Sequence, residues 1–249
     1  MSKTEQQWPR LVKLNDDVVS YIASVAQLAR TVGIDDVSIE SNVVRGINDD
    51  RTVVLLTTEN IPDFSFGGVG LNRIDTFIAR YETAKSQDNL TLEAEVTKPT
   101  DDNNFVRSLI LKGNNIKIDY RCANPTTIKA PRQINDALKT QVKLNSESVV
   151  ILQRGQSAMM NSETVAIGSA NDQVTFEIAD VNKDTLKYTL TNKLESLAGG
   201  EKTQFTFNYP IKILLALFKQ NSEGYFQIGQ RGILMFPLKN LSFYVLPQS

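Results

Sequence analysis

Phe64-Ser65-Phe66-Gly67-Gly68-Val69-Gly70-Leu71 sets two alternating aromatics and a glycine-rich turn immediately before an apolar helical stripe. The run predicts a short strand at 64–66, a turn through the glycines and a helix over 71–85. It returns as Phe205-Thr206-Phe207, followed by a helix over 209–220. Pro210 falls in the first turn of that helix, where its missing N–H would be unpaired anyway. Working outward, Leu14-Asn15 returns as Leu144-Asn145, each opening a helical stretch. Asp36-Val37-Ser38-Ile39 returns as Glu163-Thr164-Val165-Ala166-Ile167. The same features in the same order mean a duplicated domain, each copy holding two helix-plus-strands units.

Periodicity fills in the rest. Over 16–30, Val18, Tyr21, Ile22, Val25 and Ala29 share one helical face. Strands are expected at 36–40, 43–47 and 51–57, then at 90–96, 105–111 and 116–121. Lys112-Gly113-Asn114-Asn115 joins the last two as a hairpin. The second copy gives a helix over 146–158, strands at 164–169, 173–179, 186–191 and 203–208, then 225–229, 232–237 and 241–246. Residues 1–10 read as a flexible leader, 11–121 as domain one and 142–249 as domain two. The proline-containing stretch 122–141 reads as an extended connector.

Composition excludes several function classes. Histidine is absent from the 249 residues. That removes Ser-His and Cys-His pairs, histidine bases and most zinc sites. No phosphate-binding glycine motif occurs: Gly67-Gly68-Val69-Gly70 lacks both the spacing and the lysine. Asp16-Asp17, Asp35-Asp36, Asp49-Asp50 and Asp101-Asp102 fall at helix starts or turns, where capping and solvation explain them. The expectation is a non-enzyme with no metal and no cofactor. The single cysteine, Cys122, fits a reducing compartment. The run 211–218 is too short and too interrupted by Lys212 to span a bilayer. A cytoplasmic, non-membrane protein is expected.

Basic residues gather on the helices of a chain whose net charge is −1. Arg73 and Arg80 lie two turns apart on the second predicted helix, opposite Leu71, Ile74, Ile78 and Tyr81. Lys212 and Lys219 repeat that spacing on the fourth. Arg30 and Arg154 add to the polar faces of the first and third. A solvated helix face commonly carries such residues. The same spacing on two equivalent helices points instead to phosphate contact.

The order of helix, strands, helix and strands, then connector and repeat, resembles that of DNA sliding clamps. The likeness is to proliferating cell nuclear antigen and to the clamps of T-even-type bacteriophages. Its most specific stretches are Phe64-Ser65-Phe66 with Gly70-Leu71-Asn72, the hairpin 109–120, and the ending Leu241-Ser242-Phe243-Tyr244-Val245-Leu246-Pro247. The short tail, the polar leader and a lumen with few lysines fit a viral clamp, working in the host cytoplasm, better than a cellular one. The resemblance implies an α+β clamp fold: two similar domains, each with two helices packed on antiparallel sheets, assembling into a homotrimeric ring around double-stranded DNA. Helices would line the hole, so Arg73, Arg80, Lys212 and Lys219, with Arg30 and Arg154, would meet phosphates without reading bases. Partners would be a DNA polymerase and a clamp loader.

By the same resemblance, subunits would join through Ile116, Ile118 and Tyr120 of one strand edge and Val174, Phe176 and Ile178 of another. Partner peptides would enter an apolar pocket made by Val44, Ile47, Ile128, Ala130, Pro131, Val245, Leu246 and Pro247. Two alternatives remain open. One is a processivity factor of this fold that stays monomeric or dimeric, and the other a viral structural protein built from duplicated β-rich domains.

Overall fold

The computed structural model describes residues 8–97, 104–131, 133–159, 161–170, 172–182, 184–197 and 204–248. The expected leader, through residue 7, and the Asp101-Asp102 pair lie outside the described residues. Two compact units form: Met1–Asn48 with Leu56–Arg132, and Asp49–Leu55 with Gln133–Ser249.

The first half of the chain runs β1 (Arg10–Lys13), α1 (Asp16–Thr31), β2 (Val37–Glu40), β3 (Val43–Ile47), β4 (Val53–Thr57) and β5 (Val69–Leu71). It continues with α2 (Ile74–Lys85), β6 (Thr91–Val96), β7 (Val106–Gly113) and β8 (Ile116–Arg121). In the first unit, antiparallel strands lie in the orders β1-β6-β7-β8 and β3-β2-β5. The helices α1 and α2 pack on one another, and α2 also packs on β7 and β8. Ile22, Phe64, Phe77 and Tyr120 are fully enclosed, with Phe77 edge-on to Tyr120 at 5.2 Å.

The second half runs β9 (Leu138–Lys143), α3 (Ser146–Ala158), β10 (Thr164–Ala170), β11 (Gln173–Ala179), β12 (Thr185–Ser196) and β13 (Phe205–Pro210). Then come α4 (Ile211–Gln220), β14 (Tyr225–Gly229), β15 (Leu234–Leu238) and β16 (Leu241–Val245). The second unit orders its strands β13-β10-β11-β12-β9-β14-β15-β16, and Val53–Leu55 of β4 lie antiparallel on β16. Phe218 of α4 centres the core, 6.2 Å from Phe176 and 5.5 Å from both Phe226 and Phe236.

The duplication is visible in the caps. Asn15 Oδ1 accepts from Val18 N at the start of α1, and Asn145 Oδ1 accepts from Ser148 N at the start of α3. Each satisfies an otherwise unpaired N–H of a first turn. A strand precedes each cap: β1 and β9 end on Val12-Lys13 and Val142-Lys143. Both strands are additions to the expected set. Arg10, assigned to the leader, pairs with Val96, and β9 begins inside the stretch expected to be connector. Neither strand has more than a few alternating residues, so each is held by its neighbours rather than by its own pattern.

The opening run folds differently from expectation. Phe64 is buried at 1% exposure beside Tyr21 and Phe66, as a core anchor in a turn rather than a strand residue. The strand comes later, at β5, and includes Gly70. A Cβ on Gly70 would stand 2.3 Å from Ala123 O, so only glycine lets residue 123 bridge there. The helix α2 therefore begins at Ile74, and Pro210 caps α4 instead of entering its first turn. No helix among the described residues is long and apolar enough to cross a membrane.

Candidate nucleic-acid and subunit interfaces

On the solvent face of α1 and α2, basic residues are interleaved with acids. Arg30 Nε meets Asp75 Oδ1 at 2.7 Å, and Gln27 Nε2 donates to Glu82 Oε1 at 3.3 Å. Asp75 and Glu82 lie seven apart on α2 and turn toward α1, whereas Arg73 and Arg80, two residues before each, lie on the other side of the helix. Both Arg30 and Asp75 are more than half exposed, so their pair adds little stability, but it ties Arg30 to a neighbour.

Arg73 and Arg80 turn toward β8. Arg80 Nη1 donates to Asp119 O at 3.0 Å, and Arg73 Nη2 reaches Arg121 O at 3.5 Å. Both guanidiniums sit about the Tyr120 ring, at 5.9 and 6.0 Å from its centroid. Arg73 adopts φ 60 and ψ 57 at the N-cap of α2 with no side-chain cap bond. A non-glycine residue there bears about 1–2 kcal/mol of strain. Tyr120 itself is fully enclosed, and its hydroxyl donates to Asn72 O. Burial pushes its pKa up, the nearby Cys122 adding to the rise and Arg73 opposing it. Burial likewise pushes the Cys122 thiol up to about 12, so it is a poor nucleophile at neutral pH.

The face of α3 and α4 is simpler. Lys212, Lys219 and Arg154 are exposed, and among the described residues no carboxylate lies within ion-pair distance of them. Ile211, Leu214, Leu215 and Phe218 bury the opposite side of α4. Of the six expected cations, these three have neither an ion pair nor a hydrogen bond to a carbonyl among the described residues.

Of the two expected subunit edges, one is an edge. β8 pairs only with β7 among the named strands. Ile116 and Ile118 are half-buried, while Tyr120 belongs to the core. Cys122 N donates to Arg107 O, in register with the β7–β8 ladder. Antiparallel ladders alternate. The peptide groups of Ile118 and Tyr120 therefore face β7, and those of Lys117, Asp119 and Arg121 face outward. The other expected edge is corrected. β11 lies between β10 and β12, so Val174, Phe176 and Ile178 are central-strand residues, each at most 2% exposed. Alternation tells a core face from a solvent face and says nothing about neighbours within the sheet.

The open edge near β11 is instead the first part of β12, a strand expected at 186–191 but not as an edge. Residues 185–189 pair with β11 on one side, while Leu194–Ser196 pair with β9. Asp180 N donates to Asp184 O in the same register, so the peptide groups of Thr185, Lys187 and Thr189 face outward.

Residues expected to line the peptide pocket divide by burial. Val44 and Val245 are fully enclosed strand residues and Ile128 is 7% exposed. These three serve the cores of their units and are not available to a docked peptide. Ile47, Ala130 and Pro131 in the first unit, and Leu246 and Pro247 in the second, are half-buried. The tail is held down: Leu246 N donates to Thr52 O and Gln248 N to Asn208 O.

No family model and no curated protein matches the sequence. Solved structures do match in fold. PCNA from Thermococcus kodakaraensis is 13% identical, with 96% of this chain and 99% of that one aligned at a TM-score of 0.61. The beta subunit of DNA polymerase III from Thermotoga maritima is 12% identical, with 100% of this chain and 68% of that one aligned at 0.67. The beta clamp of Helicobacter pylori bound to a DNA ligase peptide is 10% identical, with 96% and 66% aligned at 0.60. The chain has the α+β fold of these DNA sliding clamps.

Proposed function

We propose that this chain is a DNA polymerase processivity clamp whose copies close head to tail into a ring around duplex DNA. One pairing carries the reading. Val53–Leu55 lie on β16, and Leu246 N donates to Thr52 O, so the peptide groups of Ser242 and Tyr244 face β4. β16 is the counterpart of β8. Each follows a two-residue turn, Gly113 opposite Ile116 and Leu238 opposite Leu241. Lys117 and Asp119 thus match Ser242 and Tyr244, with the equivalent side of β8 open. β12 is the counterpart of β4, the strand after the β10–β11 hairpin as β4 follows β2–β3.

β8 of one copy set on β12 of the next repeats the arrangement of β16 on β4. It also covers two edges that would otherwise invite aggregation. A heterologous junction of this kind closes into a ring when its rotation closes, and the resemblance to proliferating cell nuclear antigen supports three copies. Asp119 opposite Lys187 is the register that sets unlike charges together. The neighbouring registers bring Lys117 or Arg121 against Lys187, and like charges facing one another across strands are unfavourable.

A ring holds DNA by topology, so weak phosphate contacts are enough and permit sliding. Lys212, Lys219 and Arg154 supply them first, and Arg73 and Arg80 once freed from β8. Partner peptides of a polymerase and a loader would use the half-buried apolar residues of either unit: Ile47, Ala130 and Pro131 of the first, or Leu246 and Pro247 of the second. The ligase peptide on the Helicobacter pylori clamp is the precedent for such binding. A viral origin and a place in the host cytoplasm belong to the same reading. One observation favours a monomeric or dimeric factor instead: Arg73 and Arg80 already occupy outward carbonyls of β8.

The test is native mass spectrometry together with primer extension on circular and linear templates. A trimer that stimulates synthesis on the circle, and is lost from open linear ends, is expected. A stimulating monomer or dimer selects the non-ring factor, and a chain that stimulates no polymerase in the presence of loaders refutes both.

A further inference from the structure

Two of the outward carbonyls on β8, those of Asp119 and Arg121, are hydrogen-bonded by Arg80 and Arg73 from α2. A strand adding to β8 needs those same acceptors for its own N–H groups. Both arginines also rest at the Tyr120 ring, which fixes their reach to that edge. Arg73 holds a left-handed backbone conformation at the N-cap of α2. We propose that Arg73 and Arg80 form an internal cap on the β8 edge, displaced when a second copy of this chain pairs there. The occupant rests on the clamp reading; the cap itself rests on the geometry of this unit.

The consequence is a coupling. While the edge is open, the two guanidiniums are spent on backbone carbonyls. When the strand of a second copy takes the carbonyls, both cations are released toward phosphate. Association and DNA contact therefore draw on the same two side chains, and DNA should favour the paired state. Natural edges are commonly guarded by charged residues, and here the guard is removable.

The experiment compares the native chain with R73Q/R80Q by sedimentation equilibrium without DNA. Melting curves check that the variant remains folded. K13Q/K85Q removes two exposed cations from the same unit and controls for charge alone. With two competing hydrogen bonds removed, R73Q/R80Q should associate roughly tenfold more tightly. Adding D119P should cancel that gain, which locates it on β8. Unchanged or weaker association in R73Q/R80Q overturns the cap, as does an equal gain in K13Q/K85Q. The ring is judged separately, by the stoichiometry of the native chain. If that chain is monomeric throughout, the ring reading fails, yet the cap still requires R73Q/R80Q to gain association.

Discussion

Proline substitution on the two strands first expected to meet across the ring should have opposite consequences. Phe176 lies in the middle of a sheet, opposite Ile167 on one side and Tyr188 on the other. Whichever way its N–H points, a ladder bond is lost. Its ring is 2% exposed and stacks on Phe218. Truncating such a ring costs about 3–5 kcal/mol, and stranding a buried carbonyl costs about 1–3 more. The total of roughly 4–8 kcal/mol rivals the whole stability of a typical domain, about 5–15 kcal/mol. Phe176→Pro should unfold the second unit, not yield a folded monomer.

Asp119→Pro is the better probe of assembly. Its N–H faces away from β7, so the protomer's own ladder survives. What the protomer loses is an exposed 3.9 Å pair with Lys117, worth about 0–1 kcal/mol. The junction loses a donor, worth about 1 kcal/mol, and its unlike charge opposite Lys187, and it gains a ring that obstructs the partner strand. Urea unfolding should therefore leave Asp119→Pro close to the native midpoint while sedimentation velocity reports monomers. Ile118→Pro would confuse the two effects, because that N–H faces β7. An intact ring in Asp119→Pro, or a folded monomeric Phe176→Pro, would refute the assignment of β8 and β12 as the joined edges.

Three further outcomes follow from particular side chains. Changing Lys212, Lys219 and Arg154 to glutamine should reduce the salt dependence of DNA binding by about 0.9 in the log–log slope for each phosphate no longer neutralised, with no change in sequence preference; filter binding across a salt series checks this, and an unaltered slope moves the DNA-facing surface elsewhere. Gly70→Ala should cost roughly 1–3 kcal/mol in denaturant titration, because its Cβ meets the Ala123 carbonyl at 2.3 Å. Two buried tyrosines should also part company in thermal melts. Tyr209 donates to Gly232 O at 2.6 Å, so Tyr209→Phe should cost about 1–3 kcal/mol, whereas the Tyr21 hydroxyl has no partner among the described residues and Tyr21→Phe should be neutral or stabilising. Burial raises the Tyr21 pKa to about 12. A raised folded-state value contributes stability that is full below about pH 10, the unfolded value, and lost as pH rises through about 12. Tyr21→Phe should flatten that alkaline decline, and an identical profile would remove Tyr21 as its source.

Sequence alone determined the duplication, the two helix starts at Asn15 and Asn145 and most of the strands, because these depend on short-range chemistry. Asn15 and Asn145 bond three residues ahead, and apolar spacing along 16–30 or 211–218 reports which face is buried. The long hairpin from β7 to β8 was legible for the same reason. It also supplied Lys212, Lys219 and Arg154 as exposed cations. Tertiary structure decided everything that turns on a neighbour distant in the chain. Phe64 gave up a strand for the core beside Tyr21, and Gly70 took one because the carbonyl of Ala123 comes so close. β11 became central and part of β12 an edge, a distinction of sheet order that alternating residues do not encode. Arg30, Arg73 and Arg80 are expected from the sequence to meet phosphate, yet Asp75 and the carbonyls of β8 lie within their reach. A periodic pattern fixes the direction of a side chain from its own backbone, but what waits at its end is set by the rest of the fold.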